Sequence, residues 1–363
     1  MTDQPFTPTP QDNSSVLNTA SSLSPATEPV PTQETPTSSV SPVLTPQARE
    51  AREAFFRLRT QIAKAVVGQE GAVTGLVIAL IAGGHALLEG VPGVAKTLLV
   101  RTMATALNVN MSRVQFTPDL MPADITGSMV WDSGTSSFTF RPGPVFTNLL
   151  LADEINRTPP KTQSALLEAM EEHQVSIDGH THPLDFPFMV IATQNPVEYE
   201  GTYPLPEAQL DRFLVKLDLS LPSREEEIHV LARHQEGFDP LELAKAGIEA
   251  VASPEHIFAA RQAASRIEVS PAVLTYMVDL VRATRTSPSV RLGVSPRGAT
   301  ALLRTSRVWA FLQGRAYVTP DDVKDMAIST LAHRMSVRAE ADLEGISART
   351  VLEGLLTTVA VPR

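Results

Sequence analysis

Hydrophobic positions first recur at regular spacing between Gln47 and Ala65, where an apolar stripe follows one face at intervals of three and four residues. This period predicts an amphipathic helix and the start of a folded domain. The next stretch, Gly71 to Leu88, is apolar over 18 residues. Because a Gly-Gly pair interrupts it, the pattern indicates a buried helix over 69–82 and a strand over 85–89 rather than a membrane span.

Strand-like apolar runs alternate with helical segments in the middle of the chain. The runs are Leu149–Ala152, Phe188–Thr193 and Phe213–Leu217, and the helical segments are Thr97–Leu107 and Pro160–His173. Strands that alternate with helices are typical of a parallel sheet covered on both faces. The expected fold class is therefore α/β, with a doubly wound parallel sheet.

After about Leu221, helical patterns replace the strands. Each of four Ser/Thr-Pro pairs precedes an apolar stripe at helical spacing: Ser253-Pro254, Ser270-Pro271, Ser295-Pro296 and Thr319-Pro320. A hydroxyl at the N-cap accepts a hydrogen bond from an otherwise unpaired amide, and proline suits the first helical position because its missing N–H had no partner there. This part is predicted to be an all-helical domain.

Composition separates the first 48 residues from the rest. They hold nine prolines, four acids and no Lys or Arg, with Ser and Thr filling most of the remainder. Such a stretch buries too little apolar surface to offset its ordering entropy, which predicts a disordered tail over 1–48. The remainder divides into an α/β domain over 49–220 and a helical domain over 221–363.

Overall charge and cysteine content narrow the classes of function. The chain has 30 Lys plus Arg against 40 Asp plus Glu, a net charge of −10 with neutral His, so bulk attraction to nucleic acid is not expected. The absence of cysteine excludes disulfides, Cys-ligated zinc and a Cys nucleophile. The first residues lack a basic region followed by an apolar run, so no signal peptide is expected and a cytoplasmic location is predicted.

The predicted strand over 85–89 leads into a loop that a helix follows. The loop reads Gly90-Val91-Pro92-Gly93-Val94-Ala95-Lys96-Thr97. In a phosphate-binding P-loop, backbone amides face the phosphates, a lysine reaches the outer phosphates and a hydroxyl binds Mg²⁺. Ala95 stands where the general motif has glycine, which costs little only if its φ is negative. An ordinary Gly-Pro loop before a helix is the alternative.

Two carboxylates, Asp153 and Glu154, end the apolar run Leu149–Ala152. Isolated charges at the end of a buried strand are costly to desolvate, and a bound Mg²⁺ would offset that cost. Adjacent residues in extended backbone point to opposite sides, so we assign Asp153 to Mg²⁺ and Glu154 to activation of the attacking water. Two solvated acids at a strand end are the alternative.

Asn195 follows the apolar run Phe188–Thr193, and parallel strands place their carboxyl ends at one edge of the sheet. An amide there could orient a water or the γ-phosphate, whereas an Asn before proline is also a common turn former.

Arg212 and Arg297 are candidates to stabilise the charge that develops on a γ-phosphate. For Arg212, a structural ion pair with Asp211 or Glu207 is the alternative. Arg297 falls in the first turn of a predicted helix, a position that disfavours cations unless an anion is nearby.

Together these residues resemble the AAA+ ATPases and, within them, the MoxR family. The resemblance covers about residues 50–360, and its most specific stretch is DEINRTPPKTQSALLEAMEE over 153–172. The family itself uses GVPGVAKT, with alanine before the lysine. The resemblance implies a P-loop NTPase (AAA+) domain followed by an all-α lid, with ATP and Mg²⁺ as cofactors.

The resemblance also implies a role for each matched position. Gly90 to Thr97 would be the Walker A motif, Asp153 with Glu154 would be the Walker B motif, and Thr97 and Asp153 would be the Mg²⁺ ligands. Asn195 would be sensor 1, and Gly68 and Gln69 would border the adenine. Arg212 would be the arginine finger that acts on a neighbour's ATP, and Arg297 would be sensor 2. Arg141 and Arg157 are alternatives for the finger.

Two segments are predicted to be β-hairpins, Gly127–Val145 and Val175–Thr181, the second with an Asp-Gly turn. In rings of the resembled type such hairpins face the pore or the substrate. Solvent-exposed hairpins without that role are the alternative.

The predicted function is Mg²⁺-dependent ATP hydrolysis by a homo-oligomeric ring, expected to be a hexamer, that remodels or matures client proteins. The resemblance adds a von Willebrand factor A-type protein as a partner. The alternatives are a metal-insertion or cofactor-insertion ATPase resembling the magnesium chelatase motor subunit, a DNA-acting ring and a non-hydrolysing ATP switch. The paired acids Asp153 and Glu154 disfavour the switch, and the acidic balance disfavours DNA.

Overall fold

A computed structural model of the chain describes residues 45–134, 136–195 and 202–362. The helices are α1 (Pro46–Ala63), α2 (Glu70–Ala82), α3 (Lys96–Leu107), α4 (Pro122–Thr126), α5 (Pro160–Glu172), α6 (Glu207–Leu210), α7 (Arg224–Gln235), α8 (Pro254–Ser265), α9 (Pro271–Thr286), α10 (Pro296–Leu312), α11 (Pro320–Leu331), α12 (Ala339–Leu343) and α13 (Ala348–Thr358). The strands are β1 (Ala86–Glu89), β2 (Met111–Gln115), β3 (Gly127–Asp132), β4 (Ser137–Pro142), β5 (Leu149–Asp153), β6 (Gln174–Ile177), β7 (His180–Pro183), β8 (Met189–Gln194), β9 (Val215–Asp218), β10 (Val290–Leu292) and β11 (Ser336–Val337). Short 3₁₀ turns cover Ile155–Arg157 and Ala332–Arg334.

Five parallel strands form the central sheet in the order β2-β5-β8-β1-β9. Their side chains alternate between two hydrophobic cores. On β5, Leu149 and Leu151 belong to one core, whereas Leu150 and Ala152 belong to the other. This alternation confirms the predicted parallel sheet covered on both faces.

The four predicted strands of this sheet are all present, with ends within two residues of those expected. Strand β2 was not predicted. It lies at the edge of the sheet, and only Val114 of its five residues is buried, so it lacks the continuous apolar run of an inner strand.

The apolar stretch from Gly71 to Leu88 folds as α2 and β1, as predicted. Helix α2 is buried on most of its surface and is capped by Gly83, whose φ of 67° is a left-handed conformation that favours glycine. Among the described residues, no helix has the length and apolar character needed to cross a bilayer.

Most of the predicted tail lies outside the described residues. Helix α1 begins at Pro46, three residues inside the predicted tail, and the Thr45 hydroxyl caps it by accepting from the Ala48 amide at 3.2 Å. The disorder predicted for the preceding residues stays a prediction, as does the domain boundary at 220.

The four Ser/Thr-Pro pairs each begin a helix, α8 to α11, as predicted. The hydroxyls of Ser270, Ser295 and Thr319 accept hydrogen bonds from first-turn amides. Ser253 differs, because its hydroxyl bonds the side chains of Glu255 and His256 instead.

The helical region also contains one small sheet that was not predicted. Its strands, β10 and β11, pair antiparallel over two to three residues, too few for a period-two pattern to be recognised in the sequence.

Both predicted hairpins are present: β3 pairs with β4, and β6 pairs with β7, each antiparallel. In the second, Asp178 and Gly179 have φ of 48° and 80°, the pattern of a two-residue hairpin turn. In the first, the exposed rings of Trp131 and Phe138 meet edge to face with centroids 5.2 Å apart.

Candidate active site

The loop between β1 and α3 curves around the N-terminus of α3. Close approach requires glycine at Gly90, where a Cβ atom would lie 2.7 Å from the Leu219 carbonyl oxygen. The Lys96 amine donates to the carbonyl of Gly90 and, at 3.3 Å, to that of Gln194. The loop therefore curves around the Lys96 side chain, and the backbone amides at the N-terminus of α3 form an anion-binding site.

Ala95 departs from the sequence expectation. Its φ is 61°, in the left-handed region, so the condition of negative φ under which alanine costs little is not met. An L-residue other than glycine pays about 1–2 kcal/mol in this conformation. The protein therefore carries local strain at the residue that precedes Lys96.

A cavity of about 490 Å³, which we call the nucleotide cavity, opens beside this loop. Its lining includes Pro92, Gly93, Ala95, Lys96, Thr97, Asp153, Glu154, Thr193 and Asn195. Strands β1 and β5 both pair with β8, so the sheet itself brings the loop, the carboxylates and Asn195 to one edge. Asn195 is 6% exposed and directly follows β8, while Pro196 lies outside the described residues.

The two carboxylates do not share an extended backbone as expected. Strand β5 ends at Asp153, and Glu154 is left-handed with φ of 57°. The Thr193 hydroxyl joins the two residues: it donates to Asp153 Oδ1 at 2.6 Å and accepts from the Glu154 amide at 2.8 Å. The turn at Glu154, rather than strand alternation, separates the two side chains.

Two residues of β2 that sequence reasoning missed contact these carboxylates. Arg113 donates to Asp153 Oδ2 through Nη2 at 2.7 Å and Nε at 3.1 Å, and the Gln115 amide donates to Glu154 Oε2 at 2.7 Å. Arg157 also contacts Glu154, at 3.3 Å. The spacing of two between Arg113 and Gln115 was the available signal, because it puts both on one face of a strand.

The oxygen ligands in the nucleotide cavity fit Mg²⁺. The Thr97 hydroxyl and the Asp153 carboxylate line the same cavity as Lys96, and Mg²⁺ prefers a few protein oxygens together with phosphate and water. The donor set therefore suits this ion beside a bound phosphate.

A second cavity of about 430 Å³ shares Gly93, Ala95 and Leu98 with the nucleotide cavity. Val67, Gln69 and Val94 line it on one side, and α7 covers the other. Gly68 has φ of 73°, and the Gln69 amide donates to the Ser220 carbonyl at 2.9 Å. Half-buried Val91 packs against the adjoining core. This largely apolar space adjoins the phosphate end, as an adenine site requires.

Arg212 and Arg297 do not line the nucleotide cavity. Both line another cavity, of about 180 Å³, which we call the arginine cavity. Arg212 pairs with Glu171 at 3.3 Å, and Arg297 pairs with the same carboxylate at 3.1 Å. The expected partners of Arg212 are otherwise engaged, since Asp211 pairs with Arg334 and Glu207 with Arg291. The anion beside Arg297 is a carboxylate in this subunit.

Buried Arg334 ties the lid to the segment that carries Arg212. Its guanidinium donates to the carbonyls of Thr330 at 2.8 Å, Asp211 at 2.9 Å and Phe213 at 2.6 Å, and it pairs with the Asp211 carboxylate. Desolvation lowers the pKa of Arg334, and Asp211 opposes that shift. The 3₁₀ turn of Ala332–Arg334 thus fixes the backbone on both sides of Arg212.

His85 lies buried at the wall of the arginine cavity. Its Nδ1 accepts from the Val190 amide at 2.9 Å, which leaves Nε2 to donate to the Met170 carbonyl at 2.9 Å. Desolvation lowers the pKa of His85 to about 4, and His173 and Arg304 add to the lowering. The ring is therefore neutral at pH 7.

Comparison with known proteins agrees with this architecture. Residues 85–215 match the ATPase family associated with various cellular activities (AAA), and residues 282–355 match the AAA lid domain.

Several known proteins are similar over most of the chain, among them two curated proteins and one solved structure. Uncharacterized protein YeaC of Bacillus subtilis (strain 168) is 48% identical over 301 residues, covering 83% of this chain and 92% of YeaC. Chaperone MoxR1 of Mycobacterium tuberculosis is 42% identical over 312 residues, covering 84% of this chain and 81% of MoxR1. A crystal structure of a candidate ATPase from Cytophaga hutchinsonii ATCC 33406 is 40% identical with a TM-score of 0.80, covering 87% of this chain and 97% of that one.

Proposed function

The chain belongs to the MoxR family of AAA+ ATPases, and from this premise we propose that it hydrolyses ATP with Mg²⁺ to drive chaperone-like remodelling or maturation of client proteins. The observation that carries the proposal is the convergence of Lys96, Thr97, Asp153, Glu154 and Asn195 on one cavity. Membership in the family supports ATPase activity in general, and the residue roles that follow are our own assignment.

In this assignment each residue acts on a distinct part of the reaction. The Lys96 amine and the amides of the loop bind the outer phosphates. Thr97 and Asp153 would hold Mg²⁺, which when bound neutralises negative charge on the phosphates. Glu154 takes a proton from water as its oxygen attacks the γ-phosphorus and the bond to the β–γ bridging oxygen breaks, while the Asn195 amide orients that water.

The arginines support assembly into a ring. Phosphoryl transfer gains from a cation that meets the charge on the γ-phosphate, yet Arg212 and Arg297 lie in a cavity other than that of Lys96. A neighbouring subunit can present both arginines to the nucleotide. We therefore assign Arg212, with Arg297, to the ATP of the next subunit in a homo-oligomer, expected to be a hexamer. Arg157 contacts Glu154, which lines the nucleotide cavity of its own subunit, whereas Arg212 pairs with Glu171 outside that cavity, and this difference favours Arg212 as the finger.

Mixing inactive variants tests this assignment. Arg212→Ala and Lys96→Ala should each hydrolyse ATP at least a hundredfold more slowly than the parent. In mixed rings, an intact P-loop of an Arg212→Ala subunit meets an intact arginine of a Lys96→Ala subunit, so activity should partly return. Arg224→Ala, which removes an arginine that is 80% exposed, is the control and should retain the parental rate. No recovery in rings of proven mixed composition would exclude action across the interface.

The client role has separate support in the first hairpin. Trp131 and Phe138 expose 54% and 63% of their surface there, more than solubility favours for large rings. Contact of this aromatic pair with exposed apolar segments of a client fits a chaperone-like action, and MoxR1 of M. tuberculosis is named a chaperone. A von Willebrand factor A-type protein remains a proposed partner, with action in the cytoplasm. The metal-insertion alternative is less favoured, because the magnesium-chelatase subunit ChlI homolog of Methanocaldococcus jannaschii is 28% identical over 52% of this chain, against 42% over 84% for MoxR1.

Client capture tests whether the first hairpin, β3–β4, contacts client proteins. The Glu154→Gln variant should hold ATP and clients together, so bound proteins can be identified by mass spectrometry. Adding Trp131→Ala and Phe138→Ala should remove most of those proteins, whereas adding Leu343→Ala, at an apolar residue 90% exposed elsewhere, should not. Equal recovery from both variants would exclude the hairpin as the client contact. A salt-dependent affinity for DNA would instead favour the DNA-acting alternative.

A further inference from the structure

Glu171 is the one acid that bridges the two candidate trans-acting arginines among the described residues. It lies in the last turn of α5, while Arg297 lies in the first turn of α10 and Arg212 follows α6. Glu171 Oε2 contacts Arg212 Nε at 3.3 Å, and Glu171 Oε1 contacts Arg297 Nη1 at 3.1 Å. Each oxygen of one carboxylate therefore holds a different guanidinium.

Both helix positions are locally unfavourable. The C-terminal end of a helix repels an anion such as Glu171, and the N-terminal end repels a cation such as Arg297. The three side chains are 30–49% exposed, and ion pairs at that exposure stabilise a fold by about 0–1 kcal/mol. Stability alone is a weak reason for this arrangement, and such conflicts between local preference and placement are characteristic of functional sites.

The arginine cavity has an excess of positive charge. Arg212, Arg297, Arg304 and Arg334 line it, against the two acids Glu171 and Asp211. Arg334 forms an ion pair with Asp211, and Arg304 donates to the carbonyls of Ala82 and Gly83, the latter at 3.0 Å. His173, two residues beyond Glu171, has its pKa lowered first by desolvation and then by Arg261 and Arg304. The remaining charge favours binding of a further anion.

The contacts of Glu171 leave the two arginines able to bind that anion. Glu171 occupies Nε of Arg212 and one terminal nitrogen of Arg297. For the other terminal nitrogens of these two groups, the described part of the chain supplies no acceptor. A carboxylate between two guanidinium groups also offsets their mutual repulsion, which would otherwise drive them apart.

We propose that Glu171 is a positioning residue that holds Arg212 and Arg297 as a pair, with their free N–H groups directed to a single γ-phosphate of the neighbouring subunit's ATP. The inference rests on the proposed function, because it requires that the arginines act across the interface. Holding the pair in place before the nucleotide arrives removes the cost of ordering two long side chains during the reaction.

The test is Glu171→Gln, which keeps the size of the side chain and removes its charge. The kcat of the homogeneous ring should fall roughly ten- to hundredfold, as expected when a catalytic group is misplaced by about 1 Å. The KM for ATP should stay within about twofold, because Glu171 does not line the nucleotide cavity. Glu172→Gln, the same change at the next, exposed residue of α5, is the matched control and should retain the parental kcat.

Mixed rings distinguish positioning from a general structural effect. Combined with Lys96→Ala subunits, Glu171→Gln subunits should regain activity, because their P-loops then meet intact arginine pairs. In a background of both Arg212→Ala and Arg297→Ala, adding Glu171→Gln should lower the residual rate by less than twofold, since a residue that acts through these two arginines has nothing left to position. Should Glu171→Gln fail to assemble, Glu171→Asp retains the charge on a shorter side chain and should give an intermediate kcat.

Three results would overturn the proposal: a parental kcat for Glu171→Gln, no recovery in proven mixed rings, or a fully additive loss when Glu171→Gln is added to the variant that carries both Arg212→Ala and Arg297→Ala. If Glu171→Gln is parental while Arg212→Ala is inactive and recovers on mixing, only the role of Glu171 is wrong. If Arg212→Ala itself hydrolyses ATP at the parental rate, the proposed trans action fails, whatever Glu171 does.

Discussion

The nucleotide cavity and the arginine cavity differ in what holds their functional groups. In the nucleotide cavity, Asp153 ends β5, Asn195 follows β8, and the loop after β1 leads to Lys96, so main-chain hydrogen bonds between these parallel strands set where the three groups begin. In the arginine cavity, Glu171 and Arg297 are 126 residues apart in the chain and meet through side-chain ion pairs. The first site is a property of the sheet, and the second is a property of how the lid docks on it.

This difference explains why one cavity was predictable and the other was not. A strand end followed by a phosphate loop carries its geometry locally, because backbone hydrogen bonds do not depend on which side chains are present. Ion pairs between distant segments depend on the packing of several elements. Separate placement of the two sets of groups also means that a single subunit does not combine them, which is the basis for expecting a shared site between subunits.

The largest effect is expected in the nucleotide cavity. Glu154→Gln should lower kcat by about 10²–10⁴-fold while ATP still binds, because the amide keeps the shape of the side chain but cannot accept the proton of water. Phosphate release and nucleotide affinity, measured on one preparation, separate the two effects. Glu168→Gln, at an exposed acid of α5, is the control. Hydrolysis at the parental rate would show that Glu154 is not the base.

The next largest effect is expected in the arginine cavity, from replacing the lid residue Arg334. Arg334→Met removes the cation that pairs with the Asp211 carboxylate and one of two donors to the Phe213 carbonyl, the other being His333, which should lower the free energy of unfolding by about 3–5 kcal/mol. Arg349→Met removes a pair that is 56% exposed and should cost less than about 1 kcal/mol. Urea unfolding of both variants measures the difference, and equal losses would contradict a special role for Arg334.

A pH change should also act on the arginine cavity, because His85 lines it while the described lining of the nucleotide cavity includes no histidine. The pKa of His85 is lowered to about 4 from 6.5, so the unfolded chain binds its proton first as pH falls. The stability contribution is complete above pH 6.5 and is lost towards pH 4. Between pH 7 and pH 5 the loss should be about 2 kcal/mol. If the free energy of unfolding of His85→Gln falls as steeply between pH 7 and pH 5, His85 is not the cause of the loss.

The smallest effect is expected at Ala95, which lines the nucleotide cavity. Ala95→Gly relieves a left-handed alanine, and the gain should exceed the entropic cost of glycine by up to about 1 kcal/mol. Ala104→Gly, inside α3, should destabilise the protein instead, because alanine is the better residue in a helix. Thermal unfolding of the pair gives the sign at each position. A loss of stability in Ala95→Gly would mean that the strain at Ala95 is not real.

Much of the fold followed from pattern alone. Four sheet strands, both hairpins and the four Ser/Thr-Pro helices are where the sequence placed them. Strand β2 was missed because an edge strand buries little, and Gln115 and Arg113 were missed with it. Thr193 was recognised as a strand residue, but its bonds to Asp153 and Glu154 depend on the register of β5 against β8, which no local pattern reports.

What the sequence alone determined is which polar groups stand at the ends of the strands. The loop from Gly90 to Thr97, the acids Asp153 and Glu154 and the amide of Asn195 occupy positions that period and motif specify, because regular backbone places them in the same way whatever surrounds them. Only the tertiary structure decided the left-handed turns at Ala95 and Glu154 and the meeting of Arg212, Arg297 and Glu171. Those features arise from packing between distant segments, and their energies depend on distances that the order of residues does not contain.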